Sequence, residues 1–419
     1  MLTKFIEIFQ KNQFKQFFIY GIGQAFNLLT PLLVIPIIIS RCGEENLGRI
    51  AVSFSMYIFF IAFIDFCSDI IGVKEIAKNR NDKLFLNKYI SKFYKIKFII
   101  LITALSIFST LILSLDYFSE DKSLYFFGFT VLVGQFLNPT WIMQGLEDFK
   151  RLTLFNIISK TIYIAGVYFT VISRSDYYLV NFWFGVGLLV TSVLMLFNLR
   201  SKYLLKFINP SKSEILQYIK SNKNIVFSQV FVWIQMYSIV LLVSIFGSKL
   251  QAGQFRVIDQ VVNVFRTYAT LCFNFIFTRV CYDFSVNQKR GLKNWKLFNG
   301  LNLLMIATLC FILFLYSYEV VSYFKVSNKI FLSNLLRFYL IFPVLNYCNI
   351  ALKQLLLALD LNKSYVRITT IFTFANLVGV FVLYRFYNLV GVVYSFIFVE
   401  LLVVVSSILI LKSKKLEIQ

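Results

Sequence analysis

The chain has 419 residues, of which 58% are hydrophobic and only 15% are charged, and its formal net charge is +22. Soluble proteins carry about 25% charged residues, so the composition excludes an ordinary soluble enzyme. The chain has no histidine, and its six cysteines are scattered without a Cys-x-x-Cys pair. We therefore expect no metal site, no disulfide framework and no cofactor.

Apolar runs long enough to cross a membrane recur along the whole chain. A hydrocarbon core of ~30 Å needs about 20 apolar residues per helix. Residues 1–16 mix apolar residues with lysines and predict a short amphipathic helix on the membrane surface. The sequence then predicts an all-α polytopic membrane protein of about twelve transmembrane helices, at residues 17–39, 50–72, 97–115, 123–143, 153–172, 179–198, 224–246, 252–278, 298–317, 330–358, 364–384 and 391–411.

The loops between these runs are sorted by charge. If the N-terminus is cytoplasmic, the long basic loops 73–96, 199–223 and 279–297 and the basic tail all fall on the cytoplasmic side. The opposite loops are short and carry few lysines or arginines, as the positive-inside rule requires. Both termini are thus predicted to be cytoplasmic. Most of the net charge then serves topology and contact with anionic lipids, and it does not indicate a nucleic-acid partner.

The longest loop lies midway and divides the predicted helices into six and six. We expect an N-terminal lobe at 1–198, a cytoplasmic linker loop at 199–223 and a C-terminal lobe at 224–419. Such a division is typical of transporters built from two repeated bundles. The sequence has neither a Walker A motif nor another glycine-rich phosphate loop, which argues against ATP hydrolysis.

Ionisable residues inside the predicted helices are candidates for function, because each costs about 2.5–3.5 kcal/mol on membrane-insertion scales. In the eighth run, Arg256, Asp259, Asn263 and Arg266 are spaced so that they share one helix face. Two interpretations remain open. The face lines a water-filled cavity, or an internal Arg–Asp pair joins two helices.

Other basic side chains form a ladder through the membrane. Lys160 and Lys353 are predicted nearer the cytoplasm, and Arg337, like Arg256, toward the outside. A series of cations suits an anionic cargo, and guanidinium groups suit phosphate. The alternative for the two lysines is that they extend to the inner interface.

The first helix carries Gln24 and Asn27 ahead of two prolines, Pro31 and Pro36. This pattern favours a bendable helix beside the transport route. Ordinary hydrogen bonding between helices is the alternative.

Acidic residues in the predicted helices are fewer. Asp65 and Asp69, predicted one helical turn apart, and Glu400 are candidates for binding a coupling ion. The two aspartates could equally pair with the basic loop 73–96, which we consider the better interpretation.

Two segments resemble a known family. Gly21–Ile50 ends in LLTPLLVIPIIISRCGEENLGRI, which is similar to the first-helix signature of polysaccharide biosynthesis flippases. The run NPTWIMQGLEDFKRLTLFNIIS at 138–159 resembles a Pro-x-Trp…Gln-Gly-x-Glu motif of Wzx-type O-antigen flippases. The matching residues are Pro139, Trp141, Gln144, Gly145 and Glu147.

The resemblance implies a multi-pass protein of the bacterial inner membrane with a V-shaped MOP/MATE-like fold of two six-helix lobes. It also implies a flippase that moves undecaprenyl-diphosphate-linked oligosaccharides, by alternating access, for O-antigen or another surface polysaccharide. Its expected partners are that glycan lipid, membrane lipids, a polysaccharide polymerase and a chain-length regulator. A multidrug or cation antiporter of the same superfamily is the alternative, although it would favour an acidic cavity. A membrane glycosyltransferase would usually need a larger outer loop.

Overall fold

The computed structural model describes residues 11–203, 206, 208–359 and 361–415, and within these ranges all regular secondary structure is helical, with no β-strand. The predicted surface helix at 1–16 lies mostly outside the described residues. In chain order the α-helices are α1 Lys11–Cys42, α2 Glu44–Ile64, α3 Val73–Lys78, α4 Lys83–Ser114, α5 Lys122–Phe127, α6 Phe129–Leu137, α7 Thr140–Gly145, α8 Phe149–Thr170, α9 Leu179–Tyr203, α10 Lys212–Phe246, α11 Lys249–Val286, α12 Gln288–Leu315, α13 Ser317–Tyr323, α14 Lys329–Tyr339, α15 Ile341–Ala358 and α16 Asn362–Lys415.

These helices confirm a polytopic all-α membrane protein. In the described part of the chain, eight helical segments are long and apolar enough to cross a membrane, and a bent pair, Asp116–Phe127 with Phe129–Gly145, makes a ninth. Helices α10 and α11 cover the predicted runs 224–246 and 252–278. Helix α16 covers the last two, which meet at Asn388 with φ 50° and ψ −134°. Helix therefore occupies most of each of the twelve predicted runs.

The join between α1 and α2 is a single glycine. Gly43 has φ +90°, a conformation that residues with a Cβ rarely adopt. Helix α1 itself continues through Pro31 and Pro36. The break after Cys42 is therefore made by the glycine that follows the proline-rich run.

The second predicted helix is wrong at its C-terminal end. Helix α2 stops at Ile64, and Phe66 and Cys67 adopt left-handed conformations with φ 47° and 56°. A short π-helical turn, Ser68–Gly72, follows before α3. Asp65 and Asp69 consequently do not lie one turn apart on a regular helix. Hydropathy missed the break because the two residues at which it occurs, Phe66 and Cys67, are apolar and buried.

The tenth predicted helix is also interrupted, between α14 and α15 at Leu340. Pro343 lies four residues beyond Tyr339, so the carbonyl of Tyr339 has no amide N–H to accept from within the helix. The break separates Arg337 on α14 from Asn346, Asn349 and Lys353 on α15.

The chain forms two compact units, Met1–Leu241 and Leu242–Gln419. The core of the first unit includes Trp141 and Phe93, and it extends to Ile215 and Val230 on α10. Much of the predicted linker 199–223 is helix. Ser211 and Glu214 form a reciprocal N-terminal cap there, because the backbone N–H of Ser211 donates to Glu214 Oε2 at 2.9 Å and that of Glu214 to Ser211 Oγ at 3.2 Å. The predicted division into lobes at this linker stays a prediction.

The second unit is held together by buried polar contacts as well as apolar packing. Asn299 on α12 donates to Gln354 Oε1 on α15 at 2.9 Å and accepts from Tyr347 Oη at 3.1 Å. Trp295 donates to the carbonyl of Ala351 at 3.0 Å. Such bonds hold helices together where lipid gives no hydrophobic drive between them. They fix α15, which carries several of the candidate site residues.

Candidate functional site

Three polar side chains meet in the second unit, two from α11 and one from α14. Arg266 Nη1 donates to Asp259 Oδ1 at 2.7 Å, and Arg266 Nη2 donates to Tyr339 Oη at 2.7 Å. The Tyr339 hydroxyl in turn donates to Asp259 Oδ1 at 3.0 Å. Tyr339 is fully buried, whereas the Arg266 and Asp259 side chains keep 18% and 13% of their surface exposed. The triangle thus joins two helices and still leaves its charges partly accessible.

Aromatic rings surround the Arg266 guanidinium. Its central carbon lies 4.8 Å from the ring centre of Phe342 on α15 and 5.6 Å from that of Phe396 on α16. Guanidinium groups stack favourably on aromatic faces, particularly where water is scarce. Four helices therefore fix the position of this one cation.

A second arginine shares the same carboxylate. Arg256 Nη1 lies 3.9 Å from Asp259 Oδ2, at the limit of an ion pair. Two arginines and one aspartate leave this cluster, which we call the arginine cluster (Arg256, Asp259, Arg266 and Tyr339), with a formal charge of +1. Asn263 lies on the same helix between them and is half-buried. The predicted common face of α11 is therefore observed. The Arg–Asp pair lies within α11, and the Tyr339 hydroxyl links it to α14.

The polar surface continues along α15 and α16. Glu400 accepts hydrogen bonds from Asn346 Nδ2 at 3.0 Å and Asn349 Nδ2 at 2.9 Å. One turn further along α15, Lys353 Nζ lies 4.9 Å from the ring centres of Phe273 and Tyr365. Among the described residues, no carboxylate lies within ion-pair distance of Lys353. Among those residues, the partners of its positive charge are aromatic rings.

Arg337 is not part of this surface. Its Nε donates to Ser317 Oγ at 2.7 Å, its Nη1 contacts Asn334 Oδ1 at 3.3 Å, and it lies over the ring of Phe314. The side chain thus points toward the junction of α12 and α13, although Tyr339, two residues later, joins the arginine cluster.

The first unit holds a separate set of candidates. The Lys160 ammonium on α8 lies 4.3 Å from the ring centre of Phe184, and no carboxylate pairs with it in the part of the chain that the structure describes. Helices α1 and α8 run parallel, since Thr153 donates to the carbonyl of Ile19 and Arg41 to those of Tyr168 and Val171.

That register places Asn27 within about one helical turn of the level of Lys160. Gln24 and Asn27 are half-buried. Neither makes a side-chain hydrogen bond within the described ranges, and both interpretations of this helix stay predictions.

Sequence reasoning missed Lys97, the most deeply buried cation described in this unit. Its side chain has no exposed surface, and its Nζ donates to Asp65 Oδ1 at 3.1 Å. Gln135 Nε2 donates to the other oxygen of Asp65 at 2.9 Å. Lys97 is the first residue of the predicted helix 97–115, and lysines commonly flank membrane helices at that position. The sequence therefore gave no indication that this lysine is buried. Asp69 is exposed and, within the described residues, forms no ion pair with Lys97.

The Pro139–Glu147 motif forms a packed corner. Pro139 precedes α7, and Trp141 is buried against the rings of Phe93, Tyr89 and Tyr94. Glu147 adopts φ +58° and pairs with Arg80 at 3.2 Å. Gln144 is half-buried, and Gly145 lies against Ile76 of α3. Apart from the exposed Arg80–Glu147 pair, the contacts seen for these residues serve packing, and they place the short helices beside the break after α2.

Replacing Gly145 with alanine is expected to destabilise the protein by about 1–3 kcal/mol through overpacking. A Cβ at this position would lie 2.6 Å from Ile76 Cβ and 3.1 Å from the carbonyl of Val73. The matched control is Gly300→Ala on α12, where a Cβ meets nothing within 4 Å and where alanine should stabilise the helix by about 0.5–1 kcal/mol. Unfolding of both purified variants in detergent measures the difference. Equal stabilities would contradict the packing argument.

Comparison with known proteins agrees with the resemblance seen in the sequence. Residues 14–282 match the family described as "Polysaccharide biosynthesis protein". A curated protein of Escherichia coli (strain K12), named "Putative O-antigen transporter", is 20% identical over 275 residues, which are 65% of this chain and 66% of that protein. The match therefore spans just under two thirds of that relative's length.

Solved structures with the same fold belong to transporters. The lipid II flippase MurJ in an inward closed conformation superposes with a TM-score of 0.73 at 14% identity, covering 94% of this chain and 87% of that one. An inward-facing MATE family transporter of the MOP superfamily gives 0.71 at 14% identity, covering 94% and 99%. A MOP superfamily transporter from Pyrococcus furiosus gives 0.58 at 15%, covering 95% of each chain. At these identities the likeness shows the fold alone. With the family match covering well over half of its length, this multi-pass membrane protein belongs to the polysaccharide biosynthesis protein family and has the fold of MOP superfamily transporters.

Proposed function

We propose that this protein is a flippase that moves undecaprenyl-diphosphate-linked oligosaccharides across the bacterial inner membrane during the biosynthesis of O-antigen or another surface polysaccharide. The observation that carries the proposal is the arginine cluster, a net-positive and partly accessible group on α11 and α14 of a polysaccharide biosynthesis protein. Guanidinium groups recognise phosphate through two parallel hydrogen bonds. The cluster therefore suits the diphosphate of the cargo, while the polyprenyl tail stays in lipid.

The other candidate cations support an anionic cargo. Lys160 and Lys353 each lie against aromatic rings, and in the described part of the chain neither has a carboxylate partner. We infer that they attract the diphosphate or the sugar head as it passes. Transport would then proceed by alternating exposure of this surface to the two sides of the membrane. Nothing in this step needs ATP, and Glu400, Asp65 or Asp69 remain candidates for an ion that drives it.

Orientation and partners follow from the same proposal. We place both termini in the cytoplasm because the long basic segments would then lie inside, and a reporter fused after Pro210 would test this placement. The expected partners are the glycan lipid, surrounding membrane lipids, a polysaccharide polymerase and a chain-length regulator.

A multidrug or cation antiporter is the second candidate function, since MATE family transporters share the fold. An organic cation would need carboxylates free to receive it. Asp259 and Asp65 are both engaged by basic side chains, and Glu400 accepts from two amides. These contacts favour the anionic cargo.

Reconstitution into liposomes separates the two functions. Vesicles containing a prenyl-diphosphate-linked oligosaccharide are expected to expose the inner-leaflet pool to an external glycosidase only when the protein is present. Protein-free vesicles, and a dye trapped inside the sealed vesicles, measure leakage through the membrane. If the protein moves no glycan lipid but exchanges a cationic dye against a proton or sodium gradient, the flippase proposal is overturned in favour of the antiporter.

A further inference from the structure

We infer that Asp259 is an internal counter-ion that occupies the anion-binding position of the arginine cluster until a more highly charged anion displaces it. The inference rests on the proposed function and deepens it. It makes Asp259 the residue by which the site tells a diphosphate from the singly charged phospholipids that surround the protein. Arginines inside a membrane face a constant excess of such competing head groups. A site that is selective for the diphosphate therefore has to exclude phospholipid head groups.

The geometry shows where the anion-binding position is. The Asp259 carboxylate lies between two guanidinium groups, at 2.7 Å from Arg266 Nη1 and 3.9 Å from Arg256 Nη1, and it also accepts from Tyr339 Oη at 3.0 Å. A carboxylate oxygen and a phosphate oxygen accept the same donors at similar distances. The position now held by Asp259 is therefore the position at which a phosphate would collect the most donors.

Arg266 can keep its place without Asp259. Tyr339 accepts one of its N–H groups, and Phe342 and Phe396 hold the guanidinium plane by stacking. Arg256 has only the long contact to Asp259 among the ion pairs described. Loss of the carboxylate would thus leave an ordered Arg266 and an Arg256 that is free to turn toward a ligand. The site is prearranged for exchange of one anion for another.

Charge then decides which anions succeed. With Asp259 in place the two arginines carry a net charge of +1, and with Asp259 displaced they carry +2. A phospholipid with one negative charge would replace the Asp259 carboxylate by a group of the same charge. It would also leave Asp259 unpaired in a poorly hydrated region. A diphosphate brings at least one further negative charge and offsets that loss. The internal carboxylate therefore sets the lowest charge that the site accepts.

The test compares two ligands on the purified full-length protein in detergent. Farnesyl diphosphate stands for the diphosphate cargo and dioctanoyl phosphatidylglycerol for singly charged lipid, and binding of each is measured by isothermal titration calorimetry. The wild-type protein should bind the diphosphate at least about tenfold more tightly. Asp259→Asn should lower the ratio of the two dissociation constants about tenfold, mostly by tighter binding of phosphatidylglycerol.

Three further variants complete the design. Asp259→Glu retains the charge and should keep the wild-type ratio. Glu319→Gln removes one negative charge from an exposed position of the same unit, and it should also keep that ratio. Tyr339→Phe removes one donor from Asp259 while leaving both arginines, and it should lower the ratio by a smaller factor than Asp259→Asn. This variant decides the matter if Asp259→Asn does not fold.

Each outcome has one meaning. An unchanged ratio in Asp259→Asn, or in Tyr339→Phe when the former is misfolded, overturns the counter-ion role. Loss of diphosphate binding in folded Asp259→Asn overturns it as well, because the carboxylate would then be part of the binding surface. Failure of the wild-type protein to bind farnesyl diphosphate would contradict the proposed function itself. This result is obtained before any variant is compared, so it is distinguishable from failure of the counter-ion role.

Discussion

Replacing Arg266 with alanine is expected to slow transport of the glycan lipid roughly 100-fold while the protein still inserts into the membrane. Arg266 is the residue of the arginine cluster with the most contacts, since it bonds Asp259 and Tyr339 and stacks on two rings. Each hydrogen bond to a charged group contributes about 1.5–3 kcal/mol. Two such bonds to a phosphate would account for a loss of about 100-fold or more, because 1.4 kcal/mol corresponds to a factor of ten.

The measurement is the rate at which the inner-leaflet glycan lipid becomes accessible in proteoliposomes with equal amounts of inserted protein. Arg266→Lys keeps the charge but loses the planar fork, so it should retain an intermediate rate. Arg385→Ala removes an exposed arginine of the same unit and should transport at the wild-type rate. Normal transport by folded Arg266→Ala would remove this residue from the cargo site.

Replacing Lys97 with methionine is expected to destabilise the protein by about 3–5 kcal/mol, the usual consequence of leaving one partner of a buried ion pair alone. Lys97 has no exposed surface, and Asp65 is only 20% exposed. In the variant, Asp65 would keep the hydrogen bond from Gln135 but lose its neutralising charge. The free energy of unfolding in detergent, from denaturant titration, measures the loss.

The double variant Asp65→Asn/Lys97→Met separates charge from packing. It removes both charges while nearly preserving shape, so it should recover most of the stability that the single substitution loses. Lys122→Met is the control, since Lys122 is exposed and its replacement should change stability by less than about 0.5 kcal/mol. A double variant as unstable as Lys97→Met would show that the methionine side chain does not fit, and the ion-pair account would then fail.

Spacing along one helix was enough to predict part of the candidate site. Asp259 and Arg266 are seven residues apart, which is close to two helical turns, so their shared face follows from helix geometry alone. The aspartates at 65 and 69 show where the same reasoning fails. That reasoning assumed that the helix continues through both aspartates. The chain instead turns at Phe66 and Cys67 through left-handed conformations, which the apolar residue types at these positions do not predict.

Contacts between distant segments were beyond the sequence. Tyr339, Phe342 and Phe396 lie 73 to 130 residues after Arg266 and read as ordinary apolar helix residues. Arg337 and Tyr339 illustrate the difficulty, since they are two residues apart yet face different neighbours. Which of them meets the arginine cluster depends on the rotation of α14 about its axis, and the packing of whole helices sets that rotation.

The sequence by itself determined that this is a multi-pass helical membrane protein and which family it belongs to, because lipid requires about 20 apolar residues per crossing and the Pro139–Glu147 motif is local. Only the tertiary structure decided which buried charges are paired. Lys97 is neutralised by Asp65, Arg266 shares Asp259 with Arg256, and Lys353 rests on aromatic rings. The physical reason is that hydropathy depends on the transfer of each segment into lipid, whereas the electrostatic state of a buried charge depends on side chains that only folding brings within a few ångströms.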